Sequence, residues 1–183
     1  MVKGDDDILV NLPALAAALR AHQHAERAYI GCMRTGSPLR FAGDAAAYAD
    51  VGQALPFSDP SPAVLPYAAG HLYALSRQLA LHLVEASPLL RRAGNEDVSV
   101  GSWLVGLDVT AVDEPRFCCP HCGRQGATSP CVAVVQPACG GVCLPQLTLP
   151  RLAQLCDPQA TPATWALSES LLAKAEREAK EAQ

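Results

Sequence analysis

The sequence predicts an α/β fold, because segments with the patterns of strands and helices alternate along its 183 residues. Two short apolar runs, residues 28–33 and 70–75, are predicted to be strands. Residues 96–107 repeat apolar side chains at the spacing of an amphipathic helix. Half of the residues are hydrophobic and 17% are charged, so we expect one ordinary domain with a buried core.

The elements of the first third follow from local signals. The opening residues are expected to form a strand edge and then a turn into a helix. Asn11 is a suitable N-cap for that helix, which is predicted to run to about Arg27. The segment 35–66 contains five prolines and is expected to be a surface loop with a brief strand at 39–41.

Similar signals predict the later elements. Ser76 can cap a helix that ends near Ala86, and Asn95 can cap the helix at 96–107. Residues 108–117 are expected to lead into a cysteine-rich segment. A strand at 132–135 and one or two helical turns at 150–156 are predicted within that segment.

Composition limits the classes of partner. The formal net charge is −4 and no basic stripe is present, which argues against a nucleic-acid partner. Aromatic residues make up only 5% of the chain, so a stacking surface for bases is not expected. The sequence has no apolar run of about 18 residues, the length expected of a membrane span. It also lacks the pattern of a signal peptide.

An unbroken acidic triplet, Asp5, Asp6 and Asp7, stands directly before the apolar run 8–10. Adjacent carboxylates repel one another when all are ionised, and a bound cation offsets that cost. Hard divalent ions such as Mg²⁺ and Mn²⁺ prefer carboxylate oxygens. The triplet therefore indicates either a metal site facing a diphosphate or a solvated turn without a ligand.

A second acidic pair, Glu96 and Asp97, begins a predicted helix. Backbone N–H groups and the helix dipole favour carboxylates at this position. Ordinary capping explains the pair when it is considered alone. A catalytic interpretation depends on the order of motifs around it.

The chain contains eight cysteines, and six of them fall within 26 residues. Such density indicates either a disulfide framework or a zinc site. The pairs Cys119–Cys122 and Cys139–Cys143 have spacings that suit zinc, with His121 as a spare ligand. Cys32 lies in a predicted strand and is expected to be simply buried.

Four segments in a fixed order give the chain a family resemblance. They are residues 3–11 with the acidic triplet, 29–33 (YIGCM), 67–76 (YAAGHLYALS) and 95–103 (NEDVSVGSW). On these residues the chain resembles glycosyltransferase family 31, the inverting β-1,3-galactosyltransferase-like enzymes. A cysteine pattern similar to that of the plant and green-algal branch is formed by Cys118, Cys122, Cys139, Cys143 and Cys156.

The resemblance covers residues 1–157 and implies the C-terminal part of a GT-A type glycosyltransferase domain. That part is expected to be a mixed sheet with flanking helices and a cysteine-rich segment at 117–157. Residues 158–183 are expected to be a charged helical tail. The family's nucleotide-binding first half precedes the acidic triplet, so the chain is expected to be an N-terminally truncated form of such an enzyme.

The resemblance also implies roles for the acidic residues. Asp5, Asp6 and Asp7 would bind the donor, with Asp7 as a direct ligand of Mn²⁺ or Mg²⁺. Asp5 would contact the water shell of the metal or the ribose, and Asp6 would support the turn. Asp97 would be the general base, and Glu96 would position Asp97 or a substrate hydroxyl.

The implied reaction is metal-dependent transfer of a hexose from a UDP-sugar to a hydroxyl of a glycan or glycoprotein. Tyr67, Gly70 and Trp103 would shape the sugar pocket, although each is equally compatible with packing. The family works in the Golgi lumen, where the cysteines would pair as disulfides, and is held there by a membrane anchor that this sequence lacks. Two alternatives remain open: a catalytically inactive fragment, and a cysteine-rich zinc-binding interaction module.

Overall fold

The computed structural model describes residues 1–34, 66–93, 95–122, 131–136, 139 and 141–156. These residues divide into two compact units. The first contains Met1–Val2 and His24–Glu114, and the second contains Lys3–Gln23 and the described residues from Pro115 onward. The predicted strand at 39–41, most of the predicted loop at 35–66, and the tail at 158–183 lie outside the described residues.

The first unit is built on a mixed sheet that contains β3 (Ala28–Arg34), β4 (Tyr67–Leu75) and β5 (Thr110–Asp113). Strand β1 (Val2–Gly4), whose first residue belongs to this unit, completes the order β1-β4-β3-β5. Strand β3 pairs antiparallel with β4 and parallel with β5. The predicted α/β class with a mixed sheet is therefore confirmed. Sequence reasoning missed β5, which gains its hydrogen bonds from β3 and has a mostly exposed pattern of its own.

Two helices pack on this sheet. Helix α2 (Arg77–Ala86) begins as predicted, with the Ser76 hydroxyl accepting a hydrogen bond from the Leu79 amide at 3.3 Å. Helix α3 (Glu96–Leu104) ends three residues before the predicted end at residue 107. Its last turn tightens, because the Leu107 amide donates to the Leu104 carbonyl three residues earlier rather than four.

The core of the first unit lies between β4 and the two helices. It consists of apolar and aromatic side chains that are at most 5% exposed, namely Tyr29, Ala68, Tyr73, Leu75, Leu79, Val100 and Leu104. Helix α3 approaches β4 closely at Gly101. A Cβ atom at this residue would lie 2.5 Å from the Tyr67 Cβ and 2.8 Å from the Pro66 carbonyl oxygen. Only glycine allows this separation of helix and strand.

The second unit has a small antiparallel pairing at its centre. Strand β2 (Leu9–Val10) pairs with β6 (Ala133–Val134), with Leu9 opposite Val134. Helix α1 (Leu12–Arg20) follows β2, and the Asn11 side chain caps it by accepting from the Ala14 amide at 2.9 Å. The core consists of Leu9, Val134, Val142, Leu149 and Ala153.

Both helices of the second unit differ from the predicted lengths. Helix α1 ends at Arg20 rather than near Arg27, because the His22 and Gln23 amides bond to carbonyls three residues back and form a turn. Helix α4 (Pro145–Cys156) begins five residues earlier than predicted. Proline suits the first helical position, where its missing N–H has no intrahelical role.

Disulfides account for every cysteine. The pairs are Cys119–Cys131, Cys122–Cys156 and Cys139–Cys143, and Cys32 and Cys118 are also disulfide-bonded. The five predicted disulfide cysteines are thus confirmed, whereas the expectation that Cys32 is only buried was wrong. Zinc is bound by free thiolates, so the alternative of a zinc module lacks its ligands. No helix in the described part of the chain is long and apolar enough to cross a bilayer.

The contact at Gly101 predicts that Gly101→Ala lowers the free energy of unfolding. Overpacking costs about 1–3 kcal/mol, which exceeds the gain of about 1 kcal/mol that alanine gives inside a helix. Denaturant unfolding with the disulfides intact measures the effect. Gly106→Ala is the matched control, because a Cβ there meets nothing within 4 Å. Equal stability of Gly101→Ala and the control would contradict the prediction.

Candidate active site

The acidic triplet forms the turn between β1 and β2. Asp5 and Asp7 are half-buried, whereas Asp6 between them is exposed. The Lys3 ammonium lies 2.5 Å from one oxygen of Asp5. A cation at this distance offsets part of the repulsion among the three carboxylates.

Asp7 lies against the backbone around Gly141. Its main-chain oxygen accepts a hydrogen bond from the Val142 amide at 2.5 Å. Its carboxylate occupies the space beside Gly141, where any added Cβ would overlap it. The Val142 amide thus holds the main chain of Asp7, and the Gly141 backbone lies against its carboxylate.

The described residues contain no group of three His, Cys, Asp or Glu side chains placed to hold a metal ion. A cation at the acidic turn would therefore depend on ligands beyond the described side chains. Mg²⁺ is commonly bound in this way, through one or two carboxylates together with water and substrate phosphates.

Asp97 joins helix α3 to strand β4. One carboxylate oxygen accepts from the Gly70 amide at 3.0 Å, and the other accepts from the Val98 amide at 2.8 Å. The second bond is ordinary for the start of a helix, but the first reaches a different element. Asp97 is half-buried, and a carboxylate has about four acceptor positions, so two main-chain bonds leave room for a further donor.

Glu96 is exposed, and one of its oxygens accepts a short hydrogen bond from the Tyr73 hydroxyl. The Tyr73 ring is in turn held edge-to-face by Tyr29, with centroids 5.9 Å apart and planes at 86°. The Tyr29 hydroxyl accepts from the Ala68 amide at 2.8 Å. These contacts connect the core to the acidic start of α3.

Both tyrosines are harder to ionise than usual. Burial, aided by the nearby charges of Asp97 and Glu96, raises the pKa of Tyr29 to about 12. Burial also raises the pKa of Tyr73, and the hydrogen bond to the Glu96 carboxylate adds to this increase. Tyr73 is therefore a neutral donor at physiological pH, which suits its bond to Glu96.

The three predicted pocket residues differ in their surroundings. Gly70 lies directly at Asp97, as its amide bond shows. Tyr67 is only 8% exposed and packs with Ala93 and Val98. Trp103 donates from Nε1 to the Arg91 carbonyl at 2.5 Å and packs at the edge of the core. Contact of these residues with a sugar stays a prediction.

Sequence reasoning missed three residues that organise this site: Tyr29, Tyr73 and Ser99. The buried Ser99 hydroxyl accepts from the Ala93 amide at 2.8 Å and donates to the Asn95 carbonyl at 2.9 Å. It thereby fixes the start of α3, where the Asn95 side chain makes no capping bond. The only available signal was that all three residues lie in the segments that define the family resemblance.

Comparison with known proteins supports the resemblance. A family model described as galactosyltransferase matches residues 1–115. Over 146 residues the chain is 39% identical to "Probable beta-1,3-galactosyltransferase 5" of Arabidopsis thaliana, covering 78% of this chain and 36% of that protein. It is 37% identical over 150 residues to "Beta-1,3-galactosyltransferase 7" of the same plant, covering 78% and 38%.

A third relative is named for a different acceptor. It is "Hydroxyproline O-galactosyltransferase HPGT1" of Arabidopsis thaliana, 38% identical over 117 residues, with 64% of this chain and 33% of that protein covered. The chain thus spans between 33% and 38% of the length of these relatives.

The raised tyrosine pKa values predict an alkaline loss of stability. Unfolded tyrosines ionise at their ordinary pKa near 10, whereas Tyr29 holds its proton to about 12. The folded chain then binds more protons than the unfolded chain, so the free energy of unfolding falls as pH rises through this range. Denaturant unfolding at several pH values measures how the free energy of unfolding depends on pH. Tyr29→Phe should make the fall in the free energy of unfolding with pH less steep. A free energy of unfolding that does not change between about pH 10 and 12 would contradict the prediction.

Proposed function

Because the chain belongs to the galactosyltransferase family, we propose that it contributes the metal-binding and proton-accepting residues of a β-1,3-galactosyltransferase. The reaction moves a hexose, galactose by analogy with the names of the relatives, from a UDP-sugar to a hydroxyl of a glycan or glycoprotein. The observation that supports this most directly is the hydrogen bond from the Gly70 main-chain amide to the Asp97 carboxylate. It fixes an aspartate at the start of α3 more firmly than capping requires.

The acidic turn fits a divalent cation on chemical grounds. Asp5 and Asp7 offer hard oxygen atoms, and the Gly141 backbone leaves space that the Asp7 carboxylate fills. We assign Asp7 as the direct ligand of Mn²⁺ or Mg²⁺ and Asp5 as a second carboxylate that is balanced by Lys3. A cation bound there would neutralise charge on the departing diphosphate. Asp6, which is exposed, supports the turn.

Asp97 acts as the general base in this proposal. It takes the proton of the acceptor hydroxyl while the acceptor oxygen forms a bond to the anomeric carbon. The bond from that carbon to the diphosphate oxygen breaks in the same step, and the electron pair leaves with UDP. A single displacement inverts the α-linked donor sugar to a β-glycoside. The two main-chain amides hold the carboxylate in one orientation for this transfer.

Glu96 is a positioning residue in the same proposal. Its carboxylate is tied to the Tyr73 hydroxyl, and Tyr73 is fully buried and packed against Tyr29. The two acids at the start of α3 are thus held by different partners. Glu96 is anchored by a side chain from the core, whereas Asp97 is held by backbone groups and keeps free acceptor positions for substrate.

The wider setting belongs to the same proposal. We place the chain within a GT-A type domain in the Golgi lumen, with UDP-sugar as the donor and a membrane anchor holding the enzyme. The oxidation of all eight cysteines supports an oxidising compartment. One relative is named for a β-1,3-galactose linkage and another for a hydroxyproline acceptor. Both reactions require the deprotonation of a hydroxyl, which is the role proposed for Asp97.

The donor half of the proposal is tested by titrating UDP with Mn²⁺ into the purified chain. We expect binding that requires Mn²⁺ and that Asp7→Ala abolishes, because the carboxylate is the proposed ligand. Asp108→Ala is the matched control, since it removes an aspartate whose side chain is 85% exposed and paired with Arg27 at the surface. No binding by the folded wild-type chain would favour the catalytically inactive alternative.

The catalytic half is tested with Asp97→Asn. This variant keeps the size of the side chain but removes the proton acceptor, so UDP release in the presence of a hydroxyl acceptor should fall about 10²–10⁴-fold. Binding of Mn²⁺ and UDP should stay unchanged. Asp108→Asn provides the control. Full transfer activity in Asp97→Asn would rule out this aspartate as the base.

A further inference from the structure

The carboxylate of Asp7 occupies the space that a side chain at position 141 would need. A Cβ built on Gly141 would overlap Cγ and Oδ2 of Asp7 and would lie 2.5 Å from Oδ1. All three terminal atoms of the carboxylate lie too close to this position for a Cβ to fit beside them as they stand. Either the carboxylate or the Gly141 backbone must move when any other residue is present.

The backbone at Gly141 is not free to move away. The main-chain N–H of Gln136 donates to the Gly141 carbonyl at 2.7 Å. The side-chain Oε1 of Gln136 accepts from the main-chain N–H of Cys143 at 2.7 Å. A disulfide joins Cys139 to Cys143 across the same segment. Val142, the next residue, is 2% exposed and belongs to the core of the second unit.

The main chain of Asp7 is equally fixed. Its carbonyl accepts from the Val142 amide, and two residues later Leu9 is completely buried and paired with Val134. With both backbones held, the side chain of Asp7 is the part that can yield. A residue larger than glycine at position 141 therefore moves the carboxylate rather than the surrounding fold.

We infer that Gly141 is a positioning residue for Asp7, which it holds at the place where the carboxylate meets a divalent cation. This inference rests on the proposed function, because it assigns Gly141 a role in the same donor site. The residue touches neither metal nor substrate and acts only through Asp7. Loss of comparable supporting contacts around metal ligands typically lowers metal affinity about 10- to 100-fold.

The test is the binding of Mn²⁺ in the presence of UDP, followed by the electron paramagnetic resonance signal of free Mn²⁺. This readout does not depend on catalytic turnover. Gly141→Ala should bind about 10- to 100-fold more weakly than the wild-type chain. Gly106→Ala, in which the added Cβ meets nothing within 4 Å, should bind as the wild type does.

A double variant shows whether Gly141→Ala acts through Asp7 or destabilises the fold independently of it. Asp7→Ala removes Cγ and both oxygens together with the proposed Mn²⁺ ligand, so the comparison is made on stability. Adding Gly141→Ala to Asp7→Ala should cause no further fall in the unfolding midpoint. Two contacting residues that act through one another are non-additive in this way. Additive losses would overturn the inference.

A second variant keeps the test decisive if Gly141→Ala alone does not fold. Asp7→Glu retains the charge but moves the carboxylate beyond the space beside Gly141, so Mn²⁺ affinity should again fall. Wild-type affinity in Asp7→Glu or in Gly141→Ala would overturn the inference while leaving the donor site intact. Absence of Mn²⁺ binding in the wild-type chain would instead overturn the proposed function and the inference together.

Discussion

The close packing of helix α3 on strand β4 determines the arrangement of the first unit. Gly101 permits the separation, and Val100 and Leu104 fill the interface beside Tyr73 and Leu79. At this separation the Gly70 amide meets the Asp97 carboxylate and the Tyr73 hydroxyl meets Glu96. Apolar burial supplies the driving force for the contact, whereas the hydrogen bonds set its direction. The chemistry proposed for α3 thus depends on a contact that has no chemical role itself.

The acidic turn is supported by different means. The described residues of the second unit form one pairing of two strands with two residues each, and such a pairing is too small to be stable alone. Its order comes from the buried cluster around Leu9 and from three disulfides within the unit. Backbone amides hold the carboxylate of Asp97 and the main chain of Asp7, whereas Glu96 and Asp5 are held by the side chains of Tyr73 and Lys3. The two amides give the Asp97 carboxylate a fixed direction and leave it further acceptor positions.

Local signals in the sequence were sufficient for the class of fold and for several element starts. Asn11 and Ser76 cap their helices as predicted, because capping involves residues only three positions apart. Helix ends were less predictable, since tightened turns rather than a change of pattern end α1 and α3. The two acidic motifs were recognisable from their order along the chain. The partners Tyr73 and Gly141 were not, because their contacts join residues that only the tertiary fold brings together.

The disulfides have a consequence for how the molecule responds to its surroundings. The disulfides Cys119–Cys131, Cys122–Cys156 and Cys139–Cys143 lie in the second unit. They close loops with sequence separations of 12, 34 and 4 residues. Cross-links of this kind stabilise mainly by restricting the unfolded chain. Thiol reductants therefore remove much of the support of the acidic turn, while the sheet of the first unit keeps its apolar core. In reducing solution we therefore expect the second unit to lose stability before the first, so that a single free energy of unfolding would no longer describe the chain.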